Sequence, residues 1–289
     1  MAYASRRYAR RPRRSLRTSR YRRTRGPRRV RRTTFRRRGT SKRRILNVSS
    51  KKKRDNMINV SFSPTGINPA VRGFIATGAA PTMLVWCATA RDRVSNASNP
   101  TADSVRESQT CYMRGLKEHI RINTNNPTSW LWRRICFTAK GLFSGLGTSA
   151  DSVETSNGWV RALMDQTGTS FGTSLTNLLF AGTNGVDWND TFTANTDSTN
   201  VKIMYDKTFT INSGVSGVIR DYKMWHGMNK NIVYGEDENG EGEINNRYST
   251  IGRPGMGDYY VVDLLASNSS AAADTLTFST EATLYWHEK

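Results

Sequence analysis

Residues that could ligate a metal or attack a substrate are few in this chain and widely spaced. The histidines and cysteines number three each: His119, His226, His287, Cys87, Cys111 and Cys136. Zinc sites use Cys-x-x-Cys pairs or closely spaced histidines, and neither spacing occurs. Cys111 and His119 could share a metal, although buried reduced thiols and a surface imidazole explain the same residues more simply. We therefore predict no metal site.

Two further segments have compositions that suggest binding of an ion or a phosphate. Gly252–Gly257 is rich in glycine, but it precedes a strand-like segment, whereas a phosphate loop opens a helix whose N-terminus binds the anion. We expect a turn there. Residues 236–243 hold five carboxylates, which would form a solvated acidic loop or a site for a cation or a partner subunit. The sequence gives a weak case for an enzyme, and we predict no catalytic residue and no cofactor.

The positive charge of the chain is concentrated at its N-terminal end. The first 54 residues hold 25 Lys and Arg and no Asp or Glu, whereas the other 235 residues hold 19 basic and all 23 acidic residues. The net charge of +21 therefore comes from a leading arm, and the remainder is slightly acidic. This division predicts an electrostatic tail that binds a polyanion, followed by a globular body.

The arm, residues 1–54, is predicted to be disordered, because its like charges repel and it has few apolar side chains to bury. It holds 21 Arg and 4 Lys. Guanidinium groups bind phosphate oxygens bidentately and stack on bases, so the excess of arginine favours nucleic acid as the ligand. The predicted DNA-binding residues are Arg6, Arg7, Arg10, Arg11, Arg13, Arg14, Arg17, Arg20, Arg22, Arg23, Arg25, Arg28, Arg29, Arg31, Arg32, Arg36, Arg37 and Arg38.

Two compact basic clusters lie at the C-terminal end of the arm and are typical of signals read by nuclear import receptors. They consist of Lys42, Arg43 and Arg44, and of Lys51, Lys52, Lys53 and Arg54. We predict a nuclear localisation signal that overlaps the DNA-binding arm. No apolar run is long enough to span a membrane, the arm lacks the apolar face of a surface anchor, and no hydrophobic signal core is visible. An intracellular, nuclear location is expected, with no membrane partner.

Residues 55–289 show the alternation of apolar and polar side chains that is typical of β-strands. In the clearest case every second residue from Leu276 to Trp286 is apolar or small. About eight such strands, separated by turn-forming residues, predict an all-β body that folds as a single eight-stranded antiparallel jelly-roll sandwich. Residues 82–90 are apolar on both faces, as in a doubly buried strand. The connection 141–200 should contain one or two short helices, with residues 159–165 and 174–181 as candidates.

Basic residues on two strands of the body are candidates for further contacts with DNA. Lys117 and Arg121 share one strand face with His119, and Arg133 and Arg134 lie on the next strand. These four Lys and Arg residues would extend a phosphate-binding track onto an inner surface of an assembly. A solvated strand face with scattered charges is the alternative.

A basic, acid-free arm joined to a Trp-rich all-β body is the plan of coat proteins from small icosahedral viruses. Four stretches carry a closer resemblance: MAYASRRY at 1–8, VKIMYDKTFTI at 201–211, KMWHGMNK at 223–230 and GDYYVVDL at 257–264. In their order and spacing, over essentially the whole chain, the protein resembles the capsid proteins of genomoviruses, gemycircularvirus-like viruses related to geminiviruses.

The resemblance implies a coat protein of a small circular single-stranded DNA virus, with a jelly-roll body and an inward-facing arm. About sixty copies would form an icosahedral shell in the host cell nucleus. The implied partners are viral single-stranded DNA, further copies of the chain and host nuclear import receptors, and the implied locations are the virion and the nucleus. A zinc motif proposed for the geminivirus relatives is not carried over, because no Cys or His precedes Cys87.

A protein of another class could have the same arm. A nuclear architectural or ribosome-associated nucleic-acid-binding protein would use it without forming a shell. A self-assembling body buries large surfaces between copies, whereas a monomeric binder does not, so the size of the purified protein distinguishes the two.

Overall fold

The computed structural model describes residues 41–62, 69–93, 103–142, 151–156 and 158–289. The predicted disorder of residues 1–40 lies outside these ranges. Two short helices and fifteen strands are described, with these bounds in chain order: α1 Lys42–Ser49, β1 Lys51–Met57, β2 Asn59–Phe62, β3 Phe74–Thr77, β4 Thr82–Cys87, β5 Thr110–Thr124, β6 Trp130–Ala139, β7 Glu154–Thr155, β8 Gly158–Trp159, β9 Arg161–Met164, α2 Ser170–Leu179, β10 Lys202–Ile211, β11 Ile219–Val233, β12 Glu238–Asn239, β13 Gly242–Glu243, β14 Asp258–Ser267 and β15 Thr275–Glu288.

Nine of these strands build two antiparallel sheets, and eight of them form the sandwich while the short β3 adds to one edge. The first sheet has the order β1-β15-β5-β11, with the short strand β3 also paired to β15. The second sheet has the order β10-β6-β14-β4. Side chains of the two sheets meet in a common core, so the body is an all-β sandwich.

The pairing of the eight strands is nested along the chain. The innermost pair is β6 with β10, followed outward by β5 with β11, β4 with β14 and β1 with β15. Successive pairs lie alternately in the second and the first sheet. A long hairpin wrapped in this way into two sheets is a jelly roll. The predicted eight-stranded antiparallel jelly-roll sandwich is confirmed.

The two sheets are covered differently. The second sheet is buried on both faces, because Leu84 and Trp86 of β4 point to the sandwich core while Met83 and Val85 pack beneath the segment that carries α2. The doubly buried strand predicted at 82–90 is therefore confirmed over Thr82–Cys87, and residues 88–90 are buried beyond the end of the strand. Strands β5 and β15 of the first sheet bury every second residue and leave the alternate ones partly or fully exposed. The outer face of the first sheet thus remains accessible to a ligand.

Strand β15 has the predicted register. Leu276, Leu284 and Trp286 are buried in the core, and the Trp286 indole donates a hydrogen bond to Glu288 at 2.7 Å. The alternation of apolar and polar residues was sufficient to predict this register, because one face of the strand packs on the core and the other does not.

One of the two predicted helices is wrong. Residues 159–165 begin with the last residue of β8 and contain β9, which pairs in parallel with β2. Ala162 and Leu163 are both fully buried, so β9 is apolar on both faces and the short run mimics an amphipathic helix. The second candidate, 174–181, overlaps α2, which begins after Thr169, whose hydroxyl accepts a hydrogen bond from the Gly172 amide at 2.9 Å.

The boundary predicted at residues 54 and 55 is also corrected. Helix α1 and most of β1 lie before it, and β1 pairs with β15 from Lys51 opposite Glu288 to Met57 opposite Ala282. The folded body is the unit Arg43–Lys289. No helix in the described residues is long and apolar enough to cross a membrane.

Candidate nucleic-acid interface

The principal predicted DNA-binding residues, the eighteen arginines from Arg6 to Arg38, lie outside the described residues. The structure locates the remaining predicted positions, which fall into three groups. Some are exposed on α1 and β1, some are exposed on the first sheet, and some are buried.

The second predicted import cluster is built into the first sheet. Lys52 and Arg54 are exposed, but Lys53 is only 2% exposed and its ammonium group donates to the Val105 carbonyl at 2.5 Å and to Glu107 at 2.7 Å. Hydrogen bonds from Lys53 and Lys51 hold the pKa of Glu107 below its ordinary value. Lys53 is therefore a structural residue that an import receptor cannot reach in the folded chain. The first cluster lies on α1, where the side chains of Lys42 and Arg44 are exposed.

Arg134 was predicted as a DNA contact, and this prediction is wrong. Its guanidinium is fully buried between the sheets, where it donates to both carboxylate oxygens of Asp263 at 2.7 and 2.9 Å and to Glu118 at 2.6 Å. Arg161 completes the cluster at 2.8 Å from Asp263 and 3.3 Å from Glu118. Two cations and two anions thus neutralise one another in the core, as buried charges must.

The electrostatics of this buried cluster follow from its pairing. Burial alone would raise the pKa of Asp263, but Arg134 and Arg161 hold it below its ordinary value. His226 lies at the margin, with Nε2 3.7 Å from a Glu118 oxygen, and burial lowers its pKa, so the imidazole is neutral at pH 7. Sequence analysis missed this cluster because its members lie on four strands. The one local signal was Glu118, an acid at a position whose neighbours Leu116 and Ile120 predict burial.

Arg133 was also predicted to touch DNA, and this too is wrong. It points to the opposite face of β6, where it is 6% exposed. It forms a bidentate pair with Asp206 at 2.7 and 2.9 Å and donates to the carbonyls of Thr191 and Ala194 at 2.6 and 2.9 Å. Its role is to fix the segment that covers the second sheet.

Lys117 and Arg121 are exposed on the outer face of the first sheet, as their alternation with apolar residues indicates. Arg121 pairs with Asp221 of β11 at 2.9 Å, and both side chains are largely exposed. Lys117 forms no salt bridge with any described residue. These two remain candidates for contact with a nucleic acid.

The same face carries further cations that sequence analysis did not assign to it. Lys52 and Arg54 of β1 and Lys223 of β11 lie in register with outward-facing residues of β15 and β5. Burial, Arg114 and Lys52 together lower the pKa of His287, which lies opposite Lys52 in the pairing of β15 with β1. The strands of this face contribute six Lys and Arg side chains, Lys52, Arg54, Arg114, Lys117, Arg121 and Lys223, against two carboxylates, Asp221 and Glu281.

Aromatic side chains interrupt these charges. Trp225 of β11 is 54% exposed, and its ring lies 5.8 Å from that of Tyr285 with a 55° angle between their planes. Gly115 lies beneath the indole, since a Cβ atom there would come within 2.7 Å of Trp225 Cζ2. The exposed indole thus lies over a glycine and beside a tyrosine.

The thiols do not form a metal site. Cys87, Cys111 and Cys136 are free and buried, and burial raises the pKa of Cys136 to about 12. Cys111 points into the core, whereas His119 is exposed on the outer face of the same strand. The two therefore cannot share a metal, and no group of three or more ligating side chains occurs in the described ranges.

The acidic and glycine-rich segments have structural explanations. Glu236 is buried and pairs with Arg106 at 2.6 Å, and the residues after it form the β12–β13 hairpin. The loop Gly252–Gly257 is a turn before β14, as predicted. The Lys140 ammonium group donates to carbonyls of this loop, including that of Pro254 at 2.7 Å. A loop that presents carbonyls to a lysine does not form the amide cradle of a phosphate site.

One serine motif was overlooked in the sequence. Gly168–Gly172 has the form Gly-x-Ser-x-Gly, which in hydrolases positions a nucleophilic serine on a turn between a strand and a helix. Ser170 opens α2, on the outer side of the second sheet. All three histidines lie on strands of the first sheet. A catalytic pair between Ser170 and a histidine is therefore not formed.

Comparison with models of known protein families and with curated proteins gives no match to this chain. The class that the geometry defines is an all-β jelly-roll protein with a basic outer sheet face.

Proposed function

We propose that this chain is the structural capsid protein of a small single-stranded DNA virus. Copies of the body assemble into an icosahedral shell of about sixty subunits, and the N-terminal arm packages circular single-stranded DNA. The observation that carries the proposal is the division of charge: residues 1–41 hold eighteen arginines and no acidic residue, ahead of a jelly-roll body in which basic and acidic residues nearly balance. The role is structural, not enzymatic.

The architecture of the body supports a role in assembly. Its two sheets form a rigid block with a doubly covered second sheet, and its connections present apolar side chains to solvent. Val186, Val215 and Ile251 are each more than two thirds exposed. Helix α1 exposes Ile45 and Val48 as well. Contacts between copies would bury such residues, since surfaces buried in stable assemblies are rich in apolar area.

The arm supports a role in packaging. Its arginines bind phosphate without requiring a fixed fold, and each neutralised phosphate releases counterions. Sixty copies of residues 1–41, with eighteen arginines each, would bring about 1,100 positive charges to the interior, the same order of magnitude as the phosphates of a genome on the order of 2,000 nucleotides. A flexible single strand fits such a shell, whereas duplex DNA, with a persistence length of about 50 nm, resists the curvature. Import into the nucleus would use the basic residues of the arm and of α1.

Sedimentation and electron microscopy of the purified full chain test this proposal. We expect closed particles of uniform size that protect single-stranded DNA from nuclease. A matched chain lacking residues 1–41 should keep the fold and form empty shells or small oligomers. A full chain that stays monomeric at all protein concentrations, with or without DNA, would contradict the proposal and favour a nuclear nucleic-acid-binding protein.

A further inference from the structure

We propose that the outer face of the first sheet is a second binding site for single-stranded nucleic acid, in which bases stack on Trp225 and Tyr285. The inference deepens the proposed function, since it assigns to the body a contact with the packaged strand that is independent of the arm.

Trp225 is the only exposed tryptophan in the part of the chain that the structure describes. Its ring lies beside Tyr285 and over Gly115, where any residue with a Cβ atom would meet the indole. Gly227 lies next to it, and a Cβ atom there would be 3.5 Å from the indole nitrogen. An exposed aromatic ring among basic side chains is the platform on which proteins stack unpaired bases.

The charges around the ring identify the ligand as a polyanion. Lys117 of β5 lies directly opposite Trp225 of β11. Lys223 lies on the same strand as Trp225, two residues before it. Arg114 is held by Asn229 at 2.5 Å, and Lys52 and Arg54 continue the positive surface across β15 to β1. The face has two carboxylates. Asp221 lies opposite Arg121 and Glu281 lies opposite His119, so both are near Arg121.

Aromatic and basic residues combined in this way favour a single strand over a duplex or an apolar partner. The bases of a duplex are already stacked on one another and cannot stack on an indole. An unpaired base offers a free ring face for stacking. A second copy of the chain that brought the same face would bury six cations against only two carboxylates, which leaves most of the buried charges unpaired.

Photocrosslinking of the full chain to a halogenated oligothymidine of about 20 nucleotides tests the proposal at the level of residues. We expect crosslinks at Trp225 or Tyr285 in addition to those in the arm. High salt weakens the phosphate contacts of the arm more than stacking, so the body crosslinks should persist as the arm crosslinks fade. In high salt Trp225→Ala should weaken binding about tenfold, while Trp225→Phe, which keeps a ring, should retain most of it.

Charge variants separate the site from general electrostatics. Lys117→Glu with Lys223→Glu should remove the body crosslinks. The matched control Lys207→Glu, on β10 of the second sheet, should leave them in place. Thermal melting of each variant verifies that it is folded. Crosslinks confined to the arm, with full affinity in Trp225→Ala, would overturn the proposal.

The test also distinguishes this inference from the proposed function. Loss of particles in Trp225→Ala with unchanged DNA binding would show that the face joins copies of the chain, which overturns the binding site but not the capsid role. Crosslinks at Trp225 in a wild-type chain that forms no particles would support the site and contradict the capsid role.

Discussion

Arg133 and Arg134 are adjacent in the sequence but have unrelated environments. One faces the segment over the second sheet and the other the interior of the sandwich, because consecutive residues of a strand point to opposite faces. Each is neutralised by acids that are distant in the chain, Asp206 for Arg133 and Glu118 with Asp263 for Arg134. A pair of arginines on a strand was therefore misread as a phosphate contact, since the partners that bury it become visible only in the fold.

The buried cluster should be intolerant of losing a charge. Asp263→Asn leaves Arg134 and Arg161 with one carboxylate between them, and an uncompensated buried charge costs about 3–5 kcal/mol. We expect the free energy of unfolding, measured in urea, to fall by that amount. The matched variant Asp221→Asn breaks the exposed pair with Arg121 and should change the stability far less, because solvent screens that pair. Equal losses in the two variants would contradict the burial of the cluster.

Two other buried acids should make the stability depend on pH. Burial raises the pKa of Asp258 to about 7, although hydrogen bonds from Ser249 oppose the shift. Burial likewise raises the pKa of Asp151 to about 6. In the unfolded chain both ionise near pH 4, so the folded state binds more protons between about pH 4 and pH 7.

These acids stabilise the body at low pH, and the contribution is lost as the pH rises through 6 and 7. For Asp258 the total is on the order of 4 kcal/mol. Neutral His226 acts in the opposite sense. Burial lowers its pKa, so the folded state resists protonation of the imidazole and the body loses stability as the pH falls. Urea unfolding of wild type and Asp258→Asn across this range isolates the acid: the variant should lose less stability than wild type as the pH rises. Parallel pH profiles for the two proteins would contradict the assignment.

At the scale of elements, the sequence predicts what is periodic and misses what depends on distant partners. Strand β15 alternates strictly and was predicted in register. Strand β9 is apolar on both faces, so its period is ambiguous between a strand and a helix. Strand β1 consists mainly of cations, and only its pairing with β15 and the burial of Lys53 make it a strand. The outward positions of Lys117 and Arg121 were predictable, whereas the platform at Trp225 depends on Gly115 and Tyr285 from two other strands.

The revised boundary can be tested by two truncations. Removal of residues 1–41 leaves α1 and β1 intact, so the thermal stability of the body should be unchanged. Removal of residues 1–54 deletes most of β1 and leaves Glu107 and Glu288 without the Lys53 ammonium group. We expect a lower melting temperature and faster amide exchange along β15 in the shorter chain only. Identical melting of the two chains would restore the boundary at residue 54.

At the scale of the whole molecule, binding of DNA should be dominated by charge. Full-length protein should bind single strands of unrelated sequence with similar affinity, and the affinity should fall steeply as salt rises. Removal of residues 1–41 takes away eighteen arginines and should flatten this salt dependence, because fewer counterions are released. Filter binding over a salt series measures the slope. A slope that is unchanged by the truncation would contradict the role of the arm.

The nested pairing of the strands also sets an order in which the chain can fold. Of the four nested pairs, β6–β10 closes the shortest loop, from Ala139 to Lys202, whereas Lys53 of β1 meets Trp286 of β15. Closing the larger loops costs more entropy, so we expect amide protection to spread from the β6–β10 pair outward, with β1 docking last. Pulse-labelled hydrogen exchange during refolding can follow this order. Until β15 has been synthesised, the basic N-terminal segment has no strand to pair with, and a nascent chain carries it as a free polycation.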